Sequence, residues 1–152
     1  MDQNKEKNQY YFHLKIENKR KALALNVRVN LLNVYKEKAD GSLTNKVLNS
    51  PLEMHWQYNY IDSNNRPLAQ TIGPEKVCDL GVISQDRNFK LRTYPEPPEE
   101  STVLLQNKKM KIELIASGDN ARSNVLFVTI SWDGTFSENT IEMNNHLVIK
   151  NS

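Results

Sequence analysis

Cysteine is almost missing from this chain of 152 residues, with Cys78 its one copy, so no intrachain disulfide framework can form. No Cys/His cluster surrounds it, which excludes a structural zinc site of the usual spacing. Glycine is scarce too, at five residues. That leaves no phosphate-cradling glycine loop and no Gly-x-Ser-x-Gly nucleophile elbow. Charge of either sign is nearly balanced, twenty basic residues against eighteen acidic ones for a net +2. Net charge therefore implies neither a nucleic acid nor an anionic membrane as partner. Basic residues gather at Lys19 to Lys21 and at Lys108, Lys109 and Lys111, without the interleaved aromatics that stack on bases. No apolar run approaches the length of a membrane span. The opening "MDQNKEKNQ" has no apolar signal-peptide core, so the chain as given reads as soluble and cytoplasmic.

What is present is period-two alternation. Tyr10, Phe12, Leu14 and Ile16 alternate with Tyr11, His13, Lys15 and Glu17, the signature of a strand with one buried face. Leu23, Leu25, Val27, Val29 and Leu31 predict a second strand, and the apolar phase slips at Leu31-Leu32, which predicts a β-bulge. Asp40-Gly41 marks a tight reversal. "PLEMHWQYNYID" places Leu52, Met54, Trp56, Tyr58 and Tyr60 on one side of a third strand. Shorter runs follow at 68–72, 77–83 and 89–91, and "YPEPPEES" reads as an exposed loop because its prolines cannot donate to a ladder. Met110 to Leu114 and Leu126 to Trp132 predict a hairpin. Residues 137–150 are ambiguous between helix and strand: 137–145 fits a helical turn or two and "HLVIK" a last edge strand, with a short irregular or helical turn favoured. The whole predicts a tail over 1–9 and a single domain over 10–150.

About seven to eight strands with frequent turns and no long amphipathic helix predict an all-β chain, an immunoglobulin-like antiparallel β-sandwich. At "YFHLKIENKRKALALNVRVNLLNVY" the chain resembles the CARDB-like immunoglobulin-like domains of bacteria and archaea. "MHWQY", "IGPEKVCDLGVI", "KIELIASGDNA" and "ISWDGTF" are similar, in that order, to a prokaryotic domain of unknown function with the same sandwich. The resemblance spans about Tyr10 to Ile149. It implies an accessory module of a larger protein and supplies no catalytic residue.

Candidate chemistry is thin. His13, His55 and His146 lie far apart, and Glu53 with His55 makes a single same-face ligand pair that exposed sheet faces produce routinely. Cys78 stands beside Asp79, whose charge disfavours a thiolate. Glu99-Glu100 and Asp62 show no cleft between carboxylates, and "SGDN" and "DGTFSE" lack calcium-loop spacing. No catalytic, metal or cofactor residue is therefore named, and the chain reads as noncatalytic. Trp56, Tyr58 and Tyr60 read as core, or alternatively as a sugar-stacking face. The row Tyr11, His13, His55, Gln57, Asn59 and Phe127 is the candidate contact surface. Asp119-Asn120, Asp133-Gly134 and Arg122 read as joints and surface of the loops they occupy. The expected function is an accessory or protein-interaction module, whose partner is another protein or a domain of a larger parent, with a carbohydrate- or ligand-binding module as the alternative.

Overall fold

The computed structural model describes residues 8–58 and 60–151. The first alternation folds as read: β1 (Gln9–Glu17) half-buries Tyr10, Phe12, Leu14 and Ile16 and exposes the residues between them. The last residues of the expected tail are structured, since Gln9 is in the strand and the Asn8 carbonyl accepts from the Gln85 amide. The rest of the expected tail, 1–7, lies outside the described residues.

The second strand, β2 (Ala24–Lys36), is the spine of the larger sheet. Its expected bulge is present: Leu31 pairs with Leu114 and Asn33 with Glu113, leaving Leu32 as the extra residue. A second bulge was not expected. Asn26 adopts φ 52° and the register shifts between Ala24 and Val27, so Ala24 enters the core while Leu23 and Leu25 stay exposed. Asparagine tolerates that left-handed geometry better than most side chains.

Along the chain follow β3 (Asn45–Lys46), β4 (Leu52–Met54), β5 (Gln70–Ile72), β6 (Glu75–Ser84), β7 (Arg87–Leu91) and β8 (Thr93–Tyr94). A single 3-10 turn (Glu99–Ser101), β9 (Val103–Leu104), β10 (Lys108–Ser117), β11 (Leu126–Trp132), α1 (Thr140–His146) and β12 (Leu147–Asn151) complete it. All pairings are antiparallel and make two sheets. The smaller has the order β1-β6-β7-β9, and the larger runs β12-β11-β10-β2-β4-β8 with β3 and β5 also on β2. The all-β sandwich expected from the sequence is the observed fold. Strands outnumber the expected seven to eight chiefly because β3, β8 and β9 are pieces of two residues, too short to leave a periodic signal.

The core lies between the sheets, with Leu31, Val34, Phe89, Met110, Ile112, Val128 and Ile130 fully buried. The aromatic strand departs from expectation. Its paired part stops at Met54, and Trp56 then bridges to Cys78 of the opposite sheet. Trp56 is core, 1% exposed, with its indole N–H donating to Leu68 O at 3.0 Å. Tyr58 and Tyr60 are not core: the chain turns after Trp56, Tyr58 takes φ 68°, and the two are 78% and 41% exposed. The ambiguous C-terminal stretch forms both a helix and a strand. Asn139 caps α1 by accepting from the Ile141 and Glu142 amides, Met143 is buried beneath it, and β12 pairs along β11.

The loop after β10 does more than join strands. Asn120 accepts from the Leu25 amide at 2.8 Å and donates to Leu23 O at 2.9 Å, and the Asp119 amide reaches Leu25 O. One side chain thus does the pairing of an extra strand residue. Gly118 permits the approach, since a Cβ there would stand 2.3 Å from Leu25 O.

Urea denaturation should separate the three aromatic positions. Trp56→Ala is expected to cost about 3–5 kcal/mol, whereas Tyr58→Ala should stay within about 0.5 kcal/mol of the parent. A Trp56→Ala change as mild as the Tyr58 one would contradict a buried indole.

Candidate functional site

A short stretch of β6 organises the best-formed polar cluster. Asp79 is an outward residue of that strand, in register with His13 of β1, yet only 3% exposed. A carboxylate so deeply covered needs partners. Arg92 supplies one through a charge-assisted hydrogen bond to Asp79 Oδ2, and His13 Nδ1 stands 3.7 Å from Oδ1. The Arg92 guanidinium also lies over the Tyr11 ring, 5.7 Å from its centroid. Tyr11 keeps 51% of its surface exposed. One buried carboxylate therefore fixes an arginine, which in turn holds an exposed tyrosine.

His55 closes the cluster from the other side. Its carbonyl accepts from the Asp79 amide at 2.8 Å, and its ring lies within electrostatic reach of Arg92, Asp79 and Glu53. Burial of the ring, then the Arg92 charge, push its pKa below the ordinary histidine value, so it favours the neutral imidazole. Gln57 continues the run, its amide donating to Val77 O at 3.0 Å. Next to Tyr11, the small sheet carries a concavity of about 580 Å³ bordered by Gln9, Val82, Ser84, Asn88, Lys90 and Val103. Tyr11, Val82 and Lys90 stand in cross-strand register, which puts Tyr11 at its rim.

Of the expected contact row, Tyr11, His13, His55 and Gln57 are thus brought to one sheet. Asn59 lies outside the described residues. Phe127 belongs elsewhere: it is on β11 of the larger sheet, and its placement with the others is corrected. There Lys111 sits between two rings, 4.8 Å from the Tyr35 centroid and 5.3 Å from that of Phe127, while the Tyr35 hydroxyl donates to Glu113 at 2.8 Å. The expected row missed Asp79 and Arg92. A lone aspartate inside the apolar run from Val77 to Ile83 was the available signal, because such a residue must be exposed or paired.

Cys78 and His146 are both engaged within the fold. Cys78 is buried and its thiol is pushed far up, first by burial and then by Asp79, so no thiolate forms at neutral pH. His146 bonds Asp133 at 2.6 Å, which holds that carboxyl below its usual range and ties the end of α1 to the turn after β11. Among the described residues no group of three His, Cys, Asp or Glu side chains could hold a metal ion. No helix among them is long and apolar enough to cross a membrane. Comparison with protein-family models, curated proteins and solved structures finds no match.

The depressed His55 pKa has a measurable consequence. The unfolded chain takes up this proton first as pH falls, so the stability present above about 6.5 is lost as pH falls through the lower folded value. His55→Gln should flatten the stability profile between about pH 7 and 5. An unchanged slope in guanidinium midpoints over that range would show that His55 is not held neutral. Separately, Asp79→Ala should cost about 2–3 kcal/mol by stranding Arg92, and Tyr11 fluorescence or ring resonances should move with it.

Proposed function

We propose that the chain is a noncatalytic accessory module, an immunoglobulin-like sandwich of the prokaryotic CARDB-like kind. It docks another protein, or a domain of a larger parent protein, on the outer face of its smaller sheet. The observation that carries this reading is Tyr11: half-exposed, stacked by an arginine, and anchored through that arginine to a buried aspartate. Tyrosine and arginine are the residues most enriched where binding energy concentrates. Holding them in place before contact reduces the side-chain entropy lost on binding. The adjoining concavity gives a partner's side chains somewhere to enter.

A second reading, sugar binding, is favoured by a different observation. Tyr58 and Tyr60 project from the loop after Trp56, and Tyr58 holds a left-handed backbone conformation uncommon for an aromatic residue. The Lys76 ammonium lies over the Tyr60 ring at 4.9 Å. Exposed rings of this kind stack on pyranose faces.

The two separate by photo-crosslinking in lysate of the source cells with benzoylphenylalanine in place of Tyr11, Tyr58 or Phe127. Protein docking on the small sheet predicts one discrete protein adduct from position 11 that is absent from 127. Equal adducts at both, or none at 11, would overturn it. Glycan-array binding lost in Tyr58→Ala/Tyr60→Ala with an unchanged melting point would favour the sugar reading.

A further inference from the structure

A second, more apolar opening lies on the other side of Val103, which borders both it and the small-sheet concavity. β2 ends there at Lys36, with Val47 beside it, and the 3-10 turn, β9 and the start of β10 form the opposite wall. The opening is about 500 Å³, within the usual range for small-molecule sites. Leu104 is fully buried at its floor, and Leu105, 56% exposed, stands at its mouth. Three lysines, Lys36, Lys108 and Lys109, face two carboxylates, Glu37 and Glu100. One of those carboxylates is already engaged, since Glu37 accepts from the Lys109 backbone amide at 3.1 Å. The lining therefore joins an apolar surface to an excess of positive charge.

We propose that this cleft binds a small amphipathic carboxylate, its apolar chain against Val47, Leu104 and Leu105 and its anionic head on the Lys36 ammonium. Lys36 is half-buried and donates one of its three N–H groups to the Val103 carbonyl, which leaves two for a ligand. Burial lowers its pKa to about 8, with the Glu100 charge opposing that shift. The side chain is thus still cationic at neutral pH but poorly hydrated. An anion loses less to solvent competition there than at an exposed lysine. Glu100 is the built-in competitor for the same ammonium, so its removal should strengthen binding. Occupancy should also raise the Lys36 pKa, and affinity should decline as pH rises past about 8.

The test is a titration of the intact chain followed by methyl and amide NMR, with octanoate, octanol and acetate as probes. Octanoate is expected to shift Val47, Leu104 and Leu105 saturably. Octanol, which keeps the chain and loses the charge, and acetate, which does the reverse, should each bind at least tenfold more weakly. Lys36→Met should weaken octanoate at least tenfold, with folding checked by the methyl shifts of Ile112 and Val128. Glu100→Gln, which leaves Lys36 in place, should tighten it severalfold. Octanol equal to octanoate, shifts confined to other parts of the surface, or a folded Lys36→Met that binds like the parent would each overturn the proposal. Because neither Tyr11 nor Arg92 lines the cleft, these outcomes are distinguishable from a failure of protein docking at Tyr11.

Discussion

Three backbone hydrogen bonds along one flank of β6 hold together the place where this chain passes between its sheets. The Asp79 amide donates to His55 O at 2.8 Å, Gln57 to Val77 O at 3.0 Å, and Arg92 to Leu80 O at 3.0 Å. Residues 52–54 lie in the larger sheet and 55–57 against the smaller one, while β7 and β8 make the opposite change across Arg92. Alternation then dictates the rest. Trp56, between two residues bonded to β6, must face inward, where it bridges to Cys78 and fills the core. Its neighbours must face outward, which puts the His55 ring within electrostatic reach of Asp79. The candidate surface is therefore a by-product of the crossing: the segment that changes sheets at Arg92 carries the guanidinium that makes a buried carboxylate tolerable.

Much of this was legible in the sequence, and the parts that were not have a common physical origin. Periodicity reports which side of its own strand a residue occupies, so the inward set of β1 and the outward place of Phe127 were readable. It does not report which sheet the strand joins. Phe127 was accordingly grouped with Tyr11 although the two face solvent from opposite sheets. Phase slips are readable only when they disturb the apolar pattern. The Leu31-Leu32 doublet does so, whereas Asn26 sits among Leu25 and Val27 in an alternation that looks unbroken. The same limit hid the end of the aromatic strand: Tyr58 and Tyr60 keep the period of Leu52, Met54 and Trp56 after the backbone has already turned. Asp79 and Arg92 escaped because they lie thirteen residues apart and meet through the crossing.

The outer faces of the two sheets differ in how they use their polar and aromatic groups. On the larger sheet, Lys111 is shared between Tyr35 and Phe127, and Tyr35 is tied to Glu113, whose acceptor oxygen raises the phenol pKa. That network satisfies its members laterally, as a solvated sheet face does. On the smaller sheet the interactions run inward instead, from Tyr11 through Arg92 to Asp79, and the ring at the outer end remains exposed. A side chain held rigid from beneath and open above has the properties of a binding residue, and the lateral network does not.

Lys36 shows how an edge problem can shape a cleft. β9 is the last strand of the small sheet, two residues long, and pairs with β7 alone. The Thr102 carbonyl turns towards β7 to accept from the Leu91 amide, so the next carbonyl, that of Val103, points to the free edge. A carbonyl left there without a donor would be costly once partly buried. The Lys36 ammonium reaches across from the larger sheet to supply one. The lysine is thus drawn out of solvent by a structural demand of the sheet edge, and desolvation lowers its pKa towards 8 as a consequence. A lysine whose position is fixed by backbone pairing, and whose remaining donors face an apolar opening, is preorganised for an anion in a way that an unrestrained surface lysine is not.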